Sequence, residues 1–223
     1  MINLKQLDKK DAYKLLHYGS LALARAEQQG IRIDTDYVAR KKQELTEQIE
    51  EMESKLHRTK FWRDWKEARN GQEPNYNSNP QLKHFLYDVK GYTPFKTTPT
   101  GAGSTDEESL KQLGIKELDY ILRIRKLKKL RDTYLQNIEN ETVRGYMHPF
   151  YNLHTVSSYR SSSSFPNAQN LPSRDKEGKQ IVRGGMYPRP GHQLVEVDYS
   201  GLEFNINACY SRDPAMIEYC KDS

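Results

Sequence analysis

The stretches SYRSSSSFPNAQNLPSR, residues 158–174, and VEVDYSGLE, residues 195–203, decide how this chain is interpreted. The first joins hydroxyl, amide and arginine side chains on a path that prolines stiffen. Arg160 and Arg174, with such hydroxyls and amides, are the side-chain types that contact phosphates, sugars and the minor groove of DNA. A flexible linker is the alternative interpretation, although a linker does not require the pattern Pro-Asn-x-Gln-Asn-x-Pro.

The second stretch carries a candidate metal ligand. From Gln193 to Ser200, apolar and polar residues alternate as they do in a β-strand with one apolar face. Asp198 lies near the end of this predicted strand, on the face opposite the valines. A carboxylate in such a position is either a solvated residue or a ligand for a hard cation. The residues alone leave both interpretations open.

The composition suits a helical protein with a polyanionic partner. Of the 223 residues, 35% are hydrophobic and 29% are charged, and the formal net charge is +5. A low apolar share with many charges indicates long exposed helices around a modest core. The positive charge favours nucleic acid as a partner, although a lysine-rich protein without such a partner would have the same composition.

Two long helices are predicted, and apolar residues recur along each at helical spacing. The first follows a cap at Asp34–Asp36, and the second runs roughly over residues 117–140. The stretch between them is rich in loops and includes a short helix that Ser104 or Thr105 would cap. We therefore predict an antiparallel helical hairpin with an elaborate tip.

The second long helix contains six cations and no acid within nine residues, 123–131, hereafter the basic run. Cations packed together repel each other unless an anion offsets the repulsion. A solvated helix face is one interpretation. We favour the other, in which this helix contacts the phosphates of a nucleic acid.

The remaining features indicate an intracellular protein. Cys209 and Cys220 lie eleven residues apart, which favours neither a disulfide framework nor a zinc site. The sequence has no apolar run as long as a signal peptide or a membrane span. We therefore expect a cytoplasmic protein of a bacterial or phage-infected cell, without a membrane partner.

Taken together, the two opening stretches resemble the core motifs of the DNA polymerase I family, family A. That family has Thr-Gly-Arg-x-Ser-Ser-x-x-Pro-Asn-x-Gln-Asn-x-Pro-x-Arg followed by Asp-Tyr-Ser-x-x-Glu. Upstream, LARAEQQGIRID and LKKLRDTYL resemble the segment that leads into the family's thumb and its basic thumb helix. The resemblance covers residues 15–223 and implies an α+β fold, in which a helical thumb hairpin precedes part of an antiparallel palm sheet with helices.

The resemblance also implies a division of the chain and roles for single residues. Residues 1–35 would lead into the thumb, 36–143 would form it, and 144–223 would begin the palm. Asp198 and the carbonyl of Tyr199 match ligands of Mg²⁺ in two-metal nucleotidyl transfer. Glu203 matches the glutamate that excludes ribonucleotides. The matches to contacts with primer-template DNA are Arg160, Asn167, Gln169, Asn170 and Arg174 in the palm, and Lys129, Arg131, Thr133 and Tyr134 in the thumb.

This sequence departs from the family pattern in several places. Tyr159 stands where the family usually has glycine, and Asn205 replaces a common arginine. Gly201 replaces glutamine, as in phage polymerases. The second metal-binding carboxylate and the fingers helix that grips the deoxynucleoside triphosphate have no counterpart in these residues.

One aspartate cannot hold two metal ions, so we expect no polymerisation by this chain alone. The leading hypothesis is one part of a split polymerase that a second chain completes with fingers and the remaining palm. The alternatives are a non-catalytic module that binds primer-template DNA, or a degenerate remnant of a polymerase.

Overall fold

The computed structural model describes residues 9–99, 101–156 and 160–221, which form helices and small antiparallel sheets. The predicted α+β class is confirmed. The chain divides into two compact units, residues 1–187 and 188–223, which are described separately. Among the described residues, none of the helices combines the length and apolar character needed to cross a bilayer.

The first unit begins with a helix and a short strand. Helix α1 spans Lys9–Gln29 and strand β1 spans Ile31–Ile33. Gly30, between them, has a φ of +63° and lies so near His148 that a Cβ would come within 2.7 Å of its ring. Strand β1 is central in a four-stranded antiparallel sheet of order β2-β3-β1-β6. The other strands are β2 (Thr142–Val143), β3 (Tyr146–Met147) and β6 (Met186–Tyr187).

Two long helical segments form the predicted antiparallel hairpin. Helix α2 spans Thr35–His57, and the carboxylate of Asp34 caps it by accepting the N–H of Tyr37 at 2.9 Å. It packs against the second helical segment. Lys42 pairs with Glu139 and Glu53 pairs with Lys128, so the residue numbers rise along one segment as they fall along the other, and the two segments are antiparallel. The second segment consists of α6 (Lys116–Lys128), a π-helical segment (Lys129–Leu135) and α7 (Gln136–Asn140).

The tip of the hairpin is built around an aromatic core. Phe61 and Phe85 meet edge to face with ring centroids 5.1 Å apart, and Trp65 stacks on Phe85 at 5.3 Å. The elements of the tip are α3 (Lys60–Ala68), α4 (Asn79–Lys83), a second π-helical segment (His84–Val89) and α5 (Glu107–Gln112).

The predicted cap of α5 is wrong by one or two residues. Asp106 is the cap, because its extended backbone lets its carboxylate accept the N–H of Ser109 at 2.7 Å. The hydroxyl of Ser104 instead accepts the N–H of Asp106 at 3.2 Å.

A hairpin and a short helix complete the first unit. Strand β4 (Phe150–Asn152) pairs antiparallel with β5 (Ser162–Ser164), and the chain then reaches α8 (Lys176–Arg183). A turn of 3₁₀ helix, Ala168–Asn170, lies between β5 and α8. The division predicted at residues 35 and 143 stays a prediction, although β1 pairs with strands that lie beyond both positions.

The second unit consists of a segment without regular secondary structure, residues 188–201, and two helices. Helix α9 spans Leu202–Ser211 and α10 spans Pro214–Lys221, and Phe204 meets Tyr219 edge to face at 5.2 Å. The predicted strand over Gln193–Ser200 is wrong, since these residues form no regular secondary structure and no described residue pairs with them as a strand. A strand requires a neighbour for its backbone hydrogen bonds, whatever its side-chain pattern.

Candidate nucleic-acid interface

Most cations of the basic run are held by groups from other parts of the chain. The guanidinium of Arg123 donates to both carboxylate oxygens of Glu177, at 2.5 and 2.6 Å. Lys126 lies 2.9 Å from carboxylate oxygens of both Asp175 and Glu177. On the other side of the helix, Lys128 lies 2.8 Å from a carboxylate oxygen of Glu53. Three acids from outside the run thus offset the repulsion that the sequence suggests.

These contacts shift the ionisation of the groups involved. The hydrogen bond from Arg123 lowers the pKa of Glu177 to about 2, and Lys126 adds to this while desolvation opposes it. Burial lowers the pKa of the guanidinium of Arg125, whose Nε donates to the carbonyl of Tyr76 at 2.8 Å. At neutral pH these groups form an internal network of fixed charges.

Lys129 is the member of the run that faces solvent. It lies at the start of the π-helical segment, with its Nζ 5.9 Å from the ring centroid of Tyr134. Within the described residues it has no acidic partner, and Thr133, one turn on, is also exposed. Arg131 differs, since it is half-buried and donates to the carboxylate of Asp132 and, at 3.1 Å, to the hydroxyl of Thr46. Lys129 is therefore the cation of the run best exposed to a phosphate.

The residues 166–174, hereafter the amide-rich loop, are ordered by their own polar groups. The carboxamide oxygen of Asn167 accepts the N–H of Asn170 at 3.2 Å and the hydroxyl of Ser163 at 3.1 Å. That hydroxyl in turn accepts the N–H of Gln169 at 3.0 Å. Asn167, which is predicted to contact DNA, thus uses its side-chain oxygen for hydrogen bonds that hold the loop together. Sequence reasoning missed Ser163, and its burial at the centre of β5 is the feature that identifies it.

Several other residues predicted to contact DNA, in the loop and just before it, are exposed to solvent. Asn170 and Arg174 are exposed, and their side chains have no hydrogen-bond partner within the described part of the chain. Gln169 is exposed too, but its amide donates to the hydroxyl of Ser161 at 2.8 Å. Arg160 is exposed, whereas Tyr159 lies outside the described residues.

One cleft joins the solvent-facing part of the helix to the end of the amide-rich loop. It has a volume of about 720 Å³, and Lys129 and Tyr134 line it together with Pro172 and Asp175. Two residues predicted to bind DNA, Lys129 and Tyr134, therefore share a cleft with Pro172, which belongs to the amide-rich loop some 40 residues further along the chain.

The predicted catalytic residues all belong to the second unit. Asp198, Tyr199 and Glu203 are exposed. Gly201 adopts a left-handed conformation with a φ of +59°, and α9 begins directly after it with Glu203 in its first turn. Among the described residues, no group of three or more His, Cys, Asp or Glu side chains could hold a metal ion. An exposed carboxylate such as that of Asp198 is of the type that ligates hard cations.

Comparison with known proteins identifies the family. The sequence profile of DNA polymerase family A matches residues 35–223. DNA polymerase I of Bacillus subtilis is 31% identical over 203 residues, which are 89% of this chain and 22% of that protein. DNA polymerase I of Synechocystis is 35% identical over 202 residues, which are 88% of this chain and 19% of that protein. The thermostable DNA polymerase I of Thermus aquaticus is 32% identical over 203 residues, 89% of this chain and 23% of that protein. The chain spans about a fifth of the length of these relatives.

The fold agrees with this result. The polymerase domain of Pol1 from M. smegmatis, in complex with DNA primer-template and dNTP, is similar with a TM-score of 0.77 and 27% identity. The similarity covers 95% of this chain and 37% of that one. Because the profile match contains the helical hairpin, the amide-rich loop and the segment with Asp198, this chain belongs to DNA polymerase family A.

Proposed function

We propose that this chain binds primer-template DNA and supplies the thumb and the first catalytic segment of a template-directed DNA polymerase. The cleft that Lys129 and Tyr134 share with the end of the amide-rich loop carries the proposal. It combines the solvent-facing cation of Lys129 with a proline of the amide-rich loop, which suits contact with a phosphate backbone. The similar Pol1 domain was solved with primer-template and dNTP, which supports the same partners here.

In this proposal Asp198 is the catalytic carboxylate of the chain, and the carbonyl of Tyr199 is a second oxygen ligand. Mg²⁺ typically takes one or two protein carboxylates together with substrate phosphates and water. When bound, the ion would stabilise the charge that develops during nucleotidyl transfer. We assign to Glu203 the exclusion of a ribose 2′-hydroxyl.

The rest of the metal site and the groups that hold the deoxynucleoside triphosphate come, we propose, from a second chain with the fingers and the remaining palm. The reason is chemical, because one exposed carboxylate cannot hold two ions against bulk water. The segment before Asp198 supports such a partner. Its side chains Val195 and Val197 are 80% and 84% exposed, and apolar exposure of this kind is typical of an interaction surface.

A primer-extension assay tests the proposal. The chain is co-expressed with the C-terminal remainder of a family A polymerase domain, and extension is followed with and without Mg²⁺. We expect co-purification and magnesium-dependent extension, which Asp198→Ala reduces by about a thousandfold, since a metal ligand contributes several kcal/mol to the transition state. Glu196→Ala is the matched control, because Glu196 is an equally exposed carboxylate on the same segment.

The outcomes separate the candidates. Binding of primer-template without extension in any mixture would leave a non-catalytic DNA-binding module. Failure to bind primer-template at low salt would show that the proposal is wrong, and extension that survives Asp198→Ala would refute the role of that residue.

A further inference from the structure

Helix α8 begins directly after the amide-rich loop, and two side chains of α6 hold its first turn. Asp175 caps α8 by accepting the N–H of Gly178 at 3.2 Å, and Glu177 follows in the first turn. Arg123 binds Glu177 through two parallel hydrogen bonds, and Lys126 bridges Glu177 and Asp175. Bidentate pairs of this kind fix orientation as well as distance.

The other end of α8 holds the loop as well. Arg183, in the last turn, donates to the carbonyls of Pro172 at 3.0 Å and Leu171 at 3.4 Å. In the middle, Gly178 allows a close approach, because a Cβ there would lie 3.2 Å from Pro172 and 3.3 Å from Leu130. The last residues of the loop are thus fixed to α8, and α8 is fixed to the basic run.

We infer that Arg123, Lys126 and Glu177 are positioning residues that hold the amide-rich loop, including Arg174, in register with Lys129. This inference rests on the proposed function, since it assumes that the loop and Lys129 contact the same primer-template. In this inference Arg123 and Lys126 position the loop, whereas a basic helix on its own suggests that they contact phosphates. Their charges are directed at the acids of α8.

Removal of the Glu177 carboxylate distinguishes a positioning role of this network from a role in phosphate contact, because the two roles predict opposite changes in DNA affinity. Nucleic acid is a polyanion, so removing an acid near its binding surface normally strengthens binding. If Glu177 positions the loop, the same change weakens binding, because Arg174 and Lys129 lose their fixed spacing. A phosphate-contacting Arg123 would also contribute to the salt dependence of binding, whereas a positioning Arg123 would not.

The test is binding of the full chain to a labelled primer-template duplex by fluorescence anisotropy over a range of salt concentrations. For Glu177→Gln we expect about fivefold weaker binding, the lower end of typical coupling between sites, with an unchanged salt slope. Arg123→Gln should show the same loss and the same slope. The control Lys129→Gln should reduce the slope of log K against log salt by about 0.9, as expected for one lost phosphate contact.

Hydrogen exchange without DNA provides the second readout. Glu177→Gln should speed exchange of the backbone amides of residues 167–175, because the loop then opens more often. Tighter binding by Glu177→Gln, or a slope reduced by about 0.9 in Arg123→Gln, would overturn the inference. If the unmodified chain binds no primer-template, the proposed function fails, and unchanged exchange in Glu177→Gln would separately refute the positioning role.

Discussion

The substitution Glu177→Gln should destabilise the first unit in a way that depends on pH. Its carboxylate has a pKa lowered to about 2, because Arg123 and Lys126 stabilise the charged form. A carboxylate with a lowered pKa in the folded state contributes stability that is present above the pKa of the unfolded state, about 4.3. That contribution disappears as the pH falls through the folded-state pKa. The variant should therefore be less stable than the unmodified chain at pH 7 and nearly equal to it close to pH 2.

The magnitude follows from the pKa shift and the exposure. A change from 4.5 to about 2 would correspond to roughly 3 kcal/mol if the pair were shielded from water. The side chain of Glu177 is 37% exposed, and that of Arg123 is 35% exposed, so solvent screening reduces the contribution. We expect a loss of about 1 kcal/mol in the free energy of unfolding at pH 7. Linkage predicts that roughly half of it is lost by pH 3.

Urea unfolding followed by tryptophan fluorescence measures this change. Both tryptophans of the chain, Trp62 and Trp65, are buried in α3, so the signal reports the first unit. With an m-value of about 2 kcal/mol/M, the urea midpoint should fall by about 0.5 M at pH 7.

The matched control is Glu107→Gln. Glu107 also lies in the first turn of a helix, but its one ion-pair partner among the described residues is Lys111 of the same helix. Its substitution should leave the midpoint nearly unchanged. An equal drop in both variants, or a drop in Glu177→Gln that persists unchanged to pH 3, would refute the explanation by the ion pair with α6.

Further substitutions test the packing by the same unfolding measurement. Gly178→Val should cost about 1 to 3 kcal/mol, because its Cβ would lie 2.7 Å from the carboxylate of Asp175 and 3.3 Å from Leu130, and Gly178→Ala, which adds only that Cβ, should cost less. Tyr76→Phe should cost about 1 kcal/mol, since the tyrosine hydroxyl donates to the carboxylate of Glu53. Asp34→Ala removes the cap of α2 and should cost about 1 kcal/mol, whereas Asp34→Asn should retain most of the stability.

Local sequence features predict most of the helices of the antiparallel hairpin. The Asp34 cap and the apolar stripes each depend on residues within one or two turns of one another. Such features require no knowledge of the rest of the chain. The cap of α5 was missed because three neighbouring side chains, Ser104, Thr105 and Asp106, are all able to cap, and only the backbone conformation selects among them.

Long-range pairing could not be predicted in the same way. The basic run contains no acid within its nine residues, and its partner Glu177 lies some 50 residues further along the chain. The alternating pattern over Gln193–Ser200 similarly shows which side chains share a face but not whether a neighbouring strand exists. Both cases have one cause, since a short stretch of sequence does not reveal what packs against it.

The π-helical segment explains how one helix can serve both the core and the proposed interface. Leu130 and Leu135 are five residues apart and both buried, at 3% and 0% exposure. In a regular α-helix this spacing would turn one of them away from the core, whereas i to i+5 hydrogen bonding keeps them on one face. The N–H of Gln136 accordingly donates to the carbonyl of Arg131. The wider turn leaves Thr133 exposed between the two leucines. The same local geometry therefore anchors the hairpin and presents the surface that we propose meets DNA.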